Sequence, residues 1–254
     1  MIYITGDCHA DFTKFSTKRF PEQREMTKDD FVIVCGDFGL WHDCEEEVYW
    51  LNWLNQKPFT TLFVDGNHEN FDRLYGNEFP VVDFHGGKAH LIRSNIYHLM
   101  RGHVFELQGK KFFAFGGASS HDINDGILDE ANFKTSSEFI DTCKLWSRSN
   151  KMFRINHVSW WKQELPGKEE MQFGRETLQQ HNNEVDYVIT HCLPQEIISI
   201  AFGGGYDSDV LTTYLNSLLH NGLKFTSWFC GHYHYNIRVM EKFNLLYDDI
   251  VRIV

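Results

Sequence analysis

Hydrophobic positions along the chain fall into short unbroken runs, and each run stops at a glycine or at a residue able to bind a cation. Ile2-Tyr-Ile-Thr5 comes first and gives way to Gly6-Asp7-Cys8-His9. Phe31-Val-Ile-Val-Cys35 is apolar throughout, which predicts a strand buried on both faces, and it stops at Gly36-Asp37. Thr60-Thr-Leu-Phe-Val64 leads into Asp65-Gly66-Asn67-His68-Glu69. Val185 to Thr190 ends at His191, and Lys224 to Cys230 ends at Gly231-His232-Tyr233-His234. Between the second and third runs, Glu45, Glu46 and Glu47 suit the first turn of a helix, where the dipole favours acid. Val48, Leu51 and Leu54 then recur at helical spacing, and Pro58 stops the pattern. Strands alternating with helices predict parallel pairing.

Later in the chain a helix is expected over 168–182. Another carries Val210, Leu211, Tyr214, Leu215, Leu218 and Leu219 on one face, with Ser208 as its N-cap and Gly222 past its end. The middle is less regular. Short apolar stretches alternate with turn residues from Val81 to Phe115, and 104–107 with 111–115 read as a hairpin. Residues 116–167 have no clear period and are expected to form long loops with short helices. Closing strands are expected near 237–240 and 245–247, with Phe243-Asn244 in the turn. The fold class is α/β: two packed mixed β-sheets flanked by helices. One domain is expected over 1–254, with loop-rich insertions near 70–102 and 116–175.

Composition changes this picture little. At 42% hydrophobic and 23% charged, the chain is globular in type. The net charge of −11 argues against non-specific binding to a nucleic-acid backbone, which needs clustered Lys and Arg. No stretch of about 18 apolar residues predicts a membrane span. The first residues lack a basic and then apolar leader pattern. Cys8, Cys35, Cys192 and Cys230 abut the candidate ligands, where disulfides would constrain the strand ends, so reduced thiols and a cytoplasmic location are expected.

The candidate chemistry lies at the five strand ends. Asp7, His9, Asp37, Asn67, His191, His232 and His234 are ligand types suited to divalent Mn, Fe or Zn. In open α/β sheets, ligands gather beyond the carboxyl ends of the strands. One strand-end histidine is usually structural, and one Gly-Asp pair is usually a turn; five such ends in this order change the balance.

Asp7-x-His9, Gly36-Asp37, Gly66-Asn67-His68-Glu69, Thr190-His191 and Gly231-His232-x-His234 together resemble the ordered motif set of the calcineurin-like metallophosphoesterases. The Gly-Asn-His-Glu and Gly-His-x-His blocks are the specific ones. The resemblance implies a four-layer fold and two divalent metal ions. Asp7, His9, Asp37 and His234 would hold one ion, and Asp37, Asn67, His191 and His232 the other, with Asp37 bridging. It further implies hydrolysis of phosphate esters by a hydroxide held between the metals, with His68 assisting the leaving group. Phosphomonoesters and small molecules are favoured as substrates. A phosphodiesterase acting on cyclic nucleotides or nucleic-acid ends is the alternative, and a non-catalytic scaffold of the same fold the distant one.

Two departures stand out. Leu40-Trp41 and Val64-Asp65 occupy places where relatives carry an Asp and phosphate-gripping arginines. Other groups must then meet the substrate, and Arg101, His121 and Asp122 are the candidates; Arg73, Lys88 and Arg93 are also available. Two further segments, Gly116 to Asp122 and Ser159 to Glu164, resemble stretches of uncharacterised bacterial members and name no substrate. Trp160 and Trp161 suit either packing or stacking on a base. Gly203-Gly204-Gly205 lacks the phosphate-loop pattern and is expected at the cleft rim.

Overall fold

A computed structural model describes residues 1–39, 41–204 and 206–254. Leu40, in the stretch after Gly36-Asp37, and Gly205, in the triple glycine, lie outside the described residues. The strands are β1 (Ile2–Thr5), β2 (Phe31–Val34), β3 (Thr60–Phe63), β4 (Val81–Phe84), β5 (Gly87–Arg93), β6 (Ile96–Leu99), β7 (His103–Leu107) and β8 (Lys110–Phe115). They continue with β9 (Gly126–Leu128), β10 (Phe153–Ile155), β11 (Tyr187–Thr190), β12 (Ser227–Cys230), β13 (Ile237–Val239), β14 (Phe243–Leu245) and β15 (Ile250–Arg252). The α-helices are α1 (Glu45–Asn55), α2 (Phe71–Leu74), α3 (Ser136–Arg148), α4 (Lys168–Gln180), α5 (Gln195–Phe202) and α6 (Val210–His220).

Two mixed sheets form. One runs β15-β1-β2-β3-β6-β5-β4 and the other β13-β14-β12-β11-β8-β7. Parallel pairing is confined to their centres: β1, β2, β3 and β6 in the first, β8, β11, β12 and β14 in the second. Side-chain alternation assigns the faces. Ile2, Ile4, Ile33 and Leu62 meet Phe112, Ala114, Ile189 and Phe229 in a core between the sheets. Tyr3, Val32, Val34 and Phe63 face outward beneath α1, packing with Leu51 and Leu54. Phe113, Val188 and Trp228 face the other way, onto Met171 and Leu178 of α4 and Leu211 and Leu215 of α6. The order is helices, sheet, sheet, helices, and all central parallel strands are covered on both faces.

Several boundaries differ from the sequence reading. Residues 81–99 are three strands that extend the first sheet, not a loop-rich insertion. In β4 exposed and half-buried positions alternate, so its hydrophobic signal is weak. Residues 116–167 include the thirteen-residue α3, none of whose residues is buried, and the parallel pair β9–β10. Asp209 rather than Ser208 caps α6: its carboxylate accepts the Leu211 and Thr212 amides at 2.7 and 2.8 Å, a better match to the helix dipole. Phe243 and Asn244 lie in β14, and Met240 and Glu241 make the turn at positive φ. Among the described residues, no helix is long and apolar enough to cross a membrane.

Candidate metal centre

The carboxyl ends of β1, β2, β3, β11 and β12 open on one cleft. His9 Nε2 lies 3.5 Å from Asp7 Oδ2, 3.7 Å from Asp37 Oδ2 and 3.1 Å from His234 Nε2. His234 Nε2 is 3.1 Å from Asp7 Oδ2. His191 Nε2 is 3.3 Å from Asp37 Oδ2, and the His191 and His232 rings are 4.9 Å apart. Asp37 thus belongs to two overlapping groups, one with His9 and His68 and one with Asp7 and His191.

The two aspartates are held in the same way. Each gives one oxygen to the backbone of a neighbouring loop: Asp7 Oδ1 accepts the His232 amide at 2.9 Å, and Asp37 Oδ1 accepts the His68 amide at 2.8 Å. The Asp37 carbonyl accepts the Cys8 and His9 amides at 3.0 and 2.7 Å. Oδ2 of each aspartate is left facing the histidines. Close approach requires glycine at Gly36, whose φ is +93° and whose Cβ would strike the His191 ring. Four of the candidate ligands are themselves left-handed, His9, Asp37, His232 and His234 at φ 47°, 45°, 69° and 54°. Such conformations cost of order 1–3 kcal/mol each and gather where geometry is over-determined for function.

The donor set fits a cation. Among the described residues, Asp7 Oδ2, Asn67 Oδ1 and His191 Nε2 are buried with no hydrogen-bond partner. Leaving such atoms unpaired costs about 1–3 kcal/mol apiece. His191 Nδ1–H donates to the Cys35 carbonyl at 2.6 Å, which turns the Nε2 lone pair into the cluster. Burial opposes charge on His191, yet the Asp37 and Asp7 carboxylates push its pKa up to about 10. Burial likewise raises Asp7 and Asp37, but the His191 charge and the hydrogen bonds from neighbouring groups together hold both well below the usual carboxylate range. Burial pushes the adjacent Cys8 thiol up to about 12 and the Cys35 thiol well above its ordinary value.

The remaining expectations divide. Arg101 is buried away from the cleft, where it bonds the Asp65 carboxylate and donates to the Gln163 carbonyl at 2.8 Å. Its place as a substrate-binding residue is therefore corrected: it braces the turn before Asn67. His121 does reach the cleft, with Nε2 2.7 Å from His232 Nε2. Asp122 instead accepts from Arg154 Nε at 2.7 Å. Arg73 is paired with Glu47 and Glu78, and Lys88 with Asp83. Arg154 went unnoticed in the sequence because nothing periodic surrounds it, and its guanidinium lies 3.3 Å from both ring nitrogens of His68. Burial, with Asp37 opposing and Arg154 assisting, lowers the His68 pKa. Beside them a cavity of about 240 Å³ is lined by His9, Trp41, His42, Asn70, Val158 and Trp161. Trp161 is buried and donates Nε1–H to Asp72 at 2.7 Å, which favours the packing role for that residue.

The family model for calcineurin-like phosphoesterase matches residues 1–236. The chain belongs to the calcineurin-like phosphoesterase family. Members of this family are metal-dependent phosphoesterases that use divalent ions. The chain is 28% identical over 145 residues to lariat debranching enzyme A of Xenopus laevis, a match covering 50% of this chain and 26% of that protein. It is 22% identical over a 261-residue alignment to the human lariat debranching enzyme, covering 92% of this chain and 42% of the relative. The chain thus spans less than half the length of these curated relatives.

Proposed function

We propose that this calcineurin-like phosphoesterase hydrolyses phosphate esters with two divalent cations. Asp7, His9, Asp37 and His234 would hold one, and Asp37, Asn67, His191 and His232 the other. The observation that carries this reading is the set of three buried, unpartnered atoms, Asp7 Oδ2, Asn67 Oδ1 and His191 Nε2, around an Asp37 common to two groups. Bound divalent ions would neutralise phosphoryl oxygens and acidify a water so that it can act as nucleophile near neutral pH. The chain's own residues do the positioning. The two backbone-held carboxylates fix the floor, and His68, at the cleft wall, is the group placed to hydrogen-bond the leaving oxygen.

The monoester preference expected from sequence gives way here to phosphodiesters. A diester carries an organic group on each side of phosphorus, and the cluster has a cavity on each side. One is the space beside His68; the other, of about 700 Å³, is lined by Ser119, His121, Asn124 and Tyr206. The similarity to two debranching enzymes agrees with this choice. Small diesters are favoured over long nucleic acid, given Asp207 and Asp209 on the second cavity and a net charge of −11.

The test compares rates on para-nitrophenyl phosphate and bis-para-nitrophenyl phosphate, using chelator-stripped protein refilled with Mn and Asp37→Asn as control. A faster diester supports the reading. A faster monoester restores the earlier preference. Turnover no better than the control on both esters would favour a scaffold.

A further inference from the structure

We propose that Arg154 grips a non-bridging oxygen of the ester's phosphoryl group, and that the segments 116–122 and 159–164 fold together to aim its guanidinium. This rests on the reading of the site as a phosphoesterase centre and adds a substrate-binding group to it.

A guanidinium has five N–H groups and no acceptor. Arg154 Nε–H is taken by Asp122 Oδ1 at 2.7 Å, and one Nη1–H by the Ser159 carbonyl at 2.9 Å. The remaining N–H groups include those facing His68, where Nη1 and Nη2 each lie 3.3 Å from a ring nitrogen. A neutral imidazole offers one acceptor nitrogen, not two. At least one guanidinium N–H on the cleft side therefore lacks an acceptor. An anionic oxygen arriving between His68 and the cluster would supply it, and a planar fork suits phosphate oxygens.

The surroundings hold this group still. Ser120, from the first segment, gives its amide to Glu164 Oε1 at 2.9 Å and its hydroxyl to Glu164 Oε2 at 2.7 Å, from the second. Ser120 and Glu164 are both buried. The Ser120 hydroxyl also accepts from the Asn67 amide at 3.4 Å, so the clasp reaches the metal-facing turn. On the other side, His157 and Trp161 both bond Asp72 in α2, at 2.8 and 2.7 Å. Arg154 lies between these attachments, with its side chain only 12% exposed. Arg73 and Arg101 are taken up by carboxylates elsewhere. Arg154 thus fills, from a remote part of the sequence, the need created by Val64 and Asp65 standing before Gly66-Asn67-His68-Glu69.

The experiment uses full-length protein refilled with Mn, comparing wild type with Arg154→Met and Arg154→Lys. We would measure kcat and KM on bis-para-nitrophenyl phosphate, competitive inhibition by inorganic phosphate, and bound Mn. Loss of Arg154 is expected to lower kcat/KM about 10²- to 10³-fold, the range for removing one preorganised donor. The phosphate inhibition constant should rise at least about tenfold while Mn content stays unchanged. Lysine should recover part of the loss, since it keeps the charge without the fork. Phosphate inhibition equal to wild type in Arg154→Met would overturn the proposal, whatever happens to kcat, because a purely structural arginine acts that way. If that variant does not fold, Arg154→Gln carries the same comparison with the same two outcomes. If wild type shows no Mn-dependent turnover, the phosphoesterase reading fails instead. Calorimetric binding of phosphate to Mn-loaded wild type and variant then decides the role of Arg154 separately.

Discussion

Asp7, Asp37 and His191 sit at the ends of strands buried on both faces, and each is held by backbone groups from another strand's loop. The wall opposite is made of different material. It stands on α3, which has no buried residue, and on two three-residue strands, and its polar groups are held by side chains, Arg154 by Asp122 and His157 by Asp72 of α2. The floor fixes charge where any phosphate ester would need it. The wall meets the floor through side chains, Ser120 at Asn67 and Arg154 at His68 among them, so it is where a choice among esters would be made.

Substitutions on the two sides should separate accordingly. The largest effect is expected from Asp37→Asn, which removes the oxygen common to both groups. Activity should fall at least about 10³-fold, about 4 kcal/mol, with loss of bound Mn by elemental analysis. Full metal content with full activity would break the distinction at its root. Next comes the brace behind the floor. Arg101→Leu leaves Asp65 as a buried carboxylate with His98 as its remaining ring partner, 3.0 Å away. A cost of about 3–5 kcal/mol in urea unfolding is expected, as for any buried pair broken on one side. A change below about 1 kcal/mol would mean water reaches Asp65. Adding Mn to stripped protein at about 100 times its dissociation constant should stabilise by about 2.7 kcal/mol per site, seen as a rise in Tm that Asp37→Asn lacks. The smallest effect belongs to the exposed face of α3: Leu145→Lys, at a side chain 62% exposed, should change stability by no more than about 0.5 kcal/mol. A large loss there would show that α3 is covered by something in solution.

The same division explains how much the sequence disclosed. Phe31 to Val34 read as a strand because every residue is buried, and the glycine after it is forced by the approach of His191. The floor's candidate ligands therefore follow directly from the hydrophobic runs. The two-sheet α/β arrangement followed as well, since strand–helix–strand units pair in parallel. The wall gave no such signal. Arg154 is six residues from the nearest helix end, in a stretch without period, and its importance comes from Asp122 thirty-two positions earlier. Arg101 misled for the opposite reason: a charged residue beside Gly102 resembles a surface turn, and only tertiary contact with Asp65 shows it buried. The edge strand β4 was missed because its positions alternate only between exposed and half-buried, and β5 beside it because a register shift between Leu91 and Arg93 breaks its alternation.

The bond between Asp7 Oδ1 and the His232 amide joins residues 225 positions apart. A ribosome makes them in that order. Asp7, His9 and Asp37 emerge well before the backbone that orients Asp7. Until that backbone appears the nascent protein carries these candidate ligands without the geometry to hold an ion between them. Capture of a metal at this candidate centre would consequently wait for the completion of β12 and its loop, and a chain cut short before His232 would have both sheets begun and no centre to load.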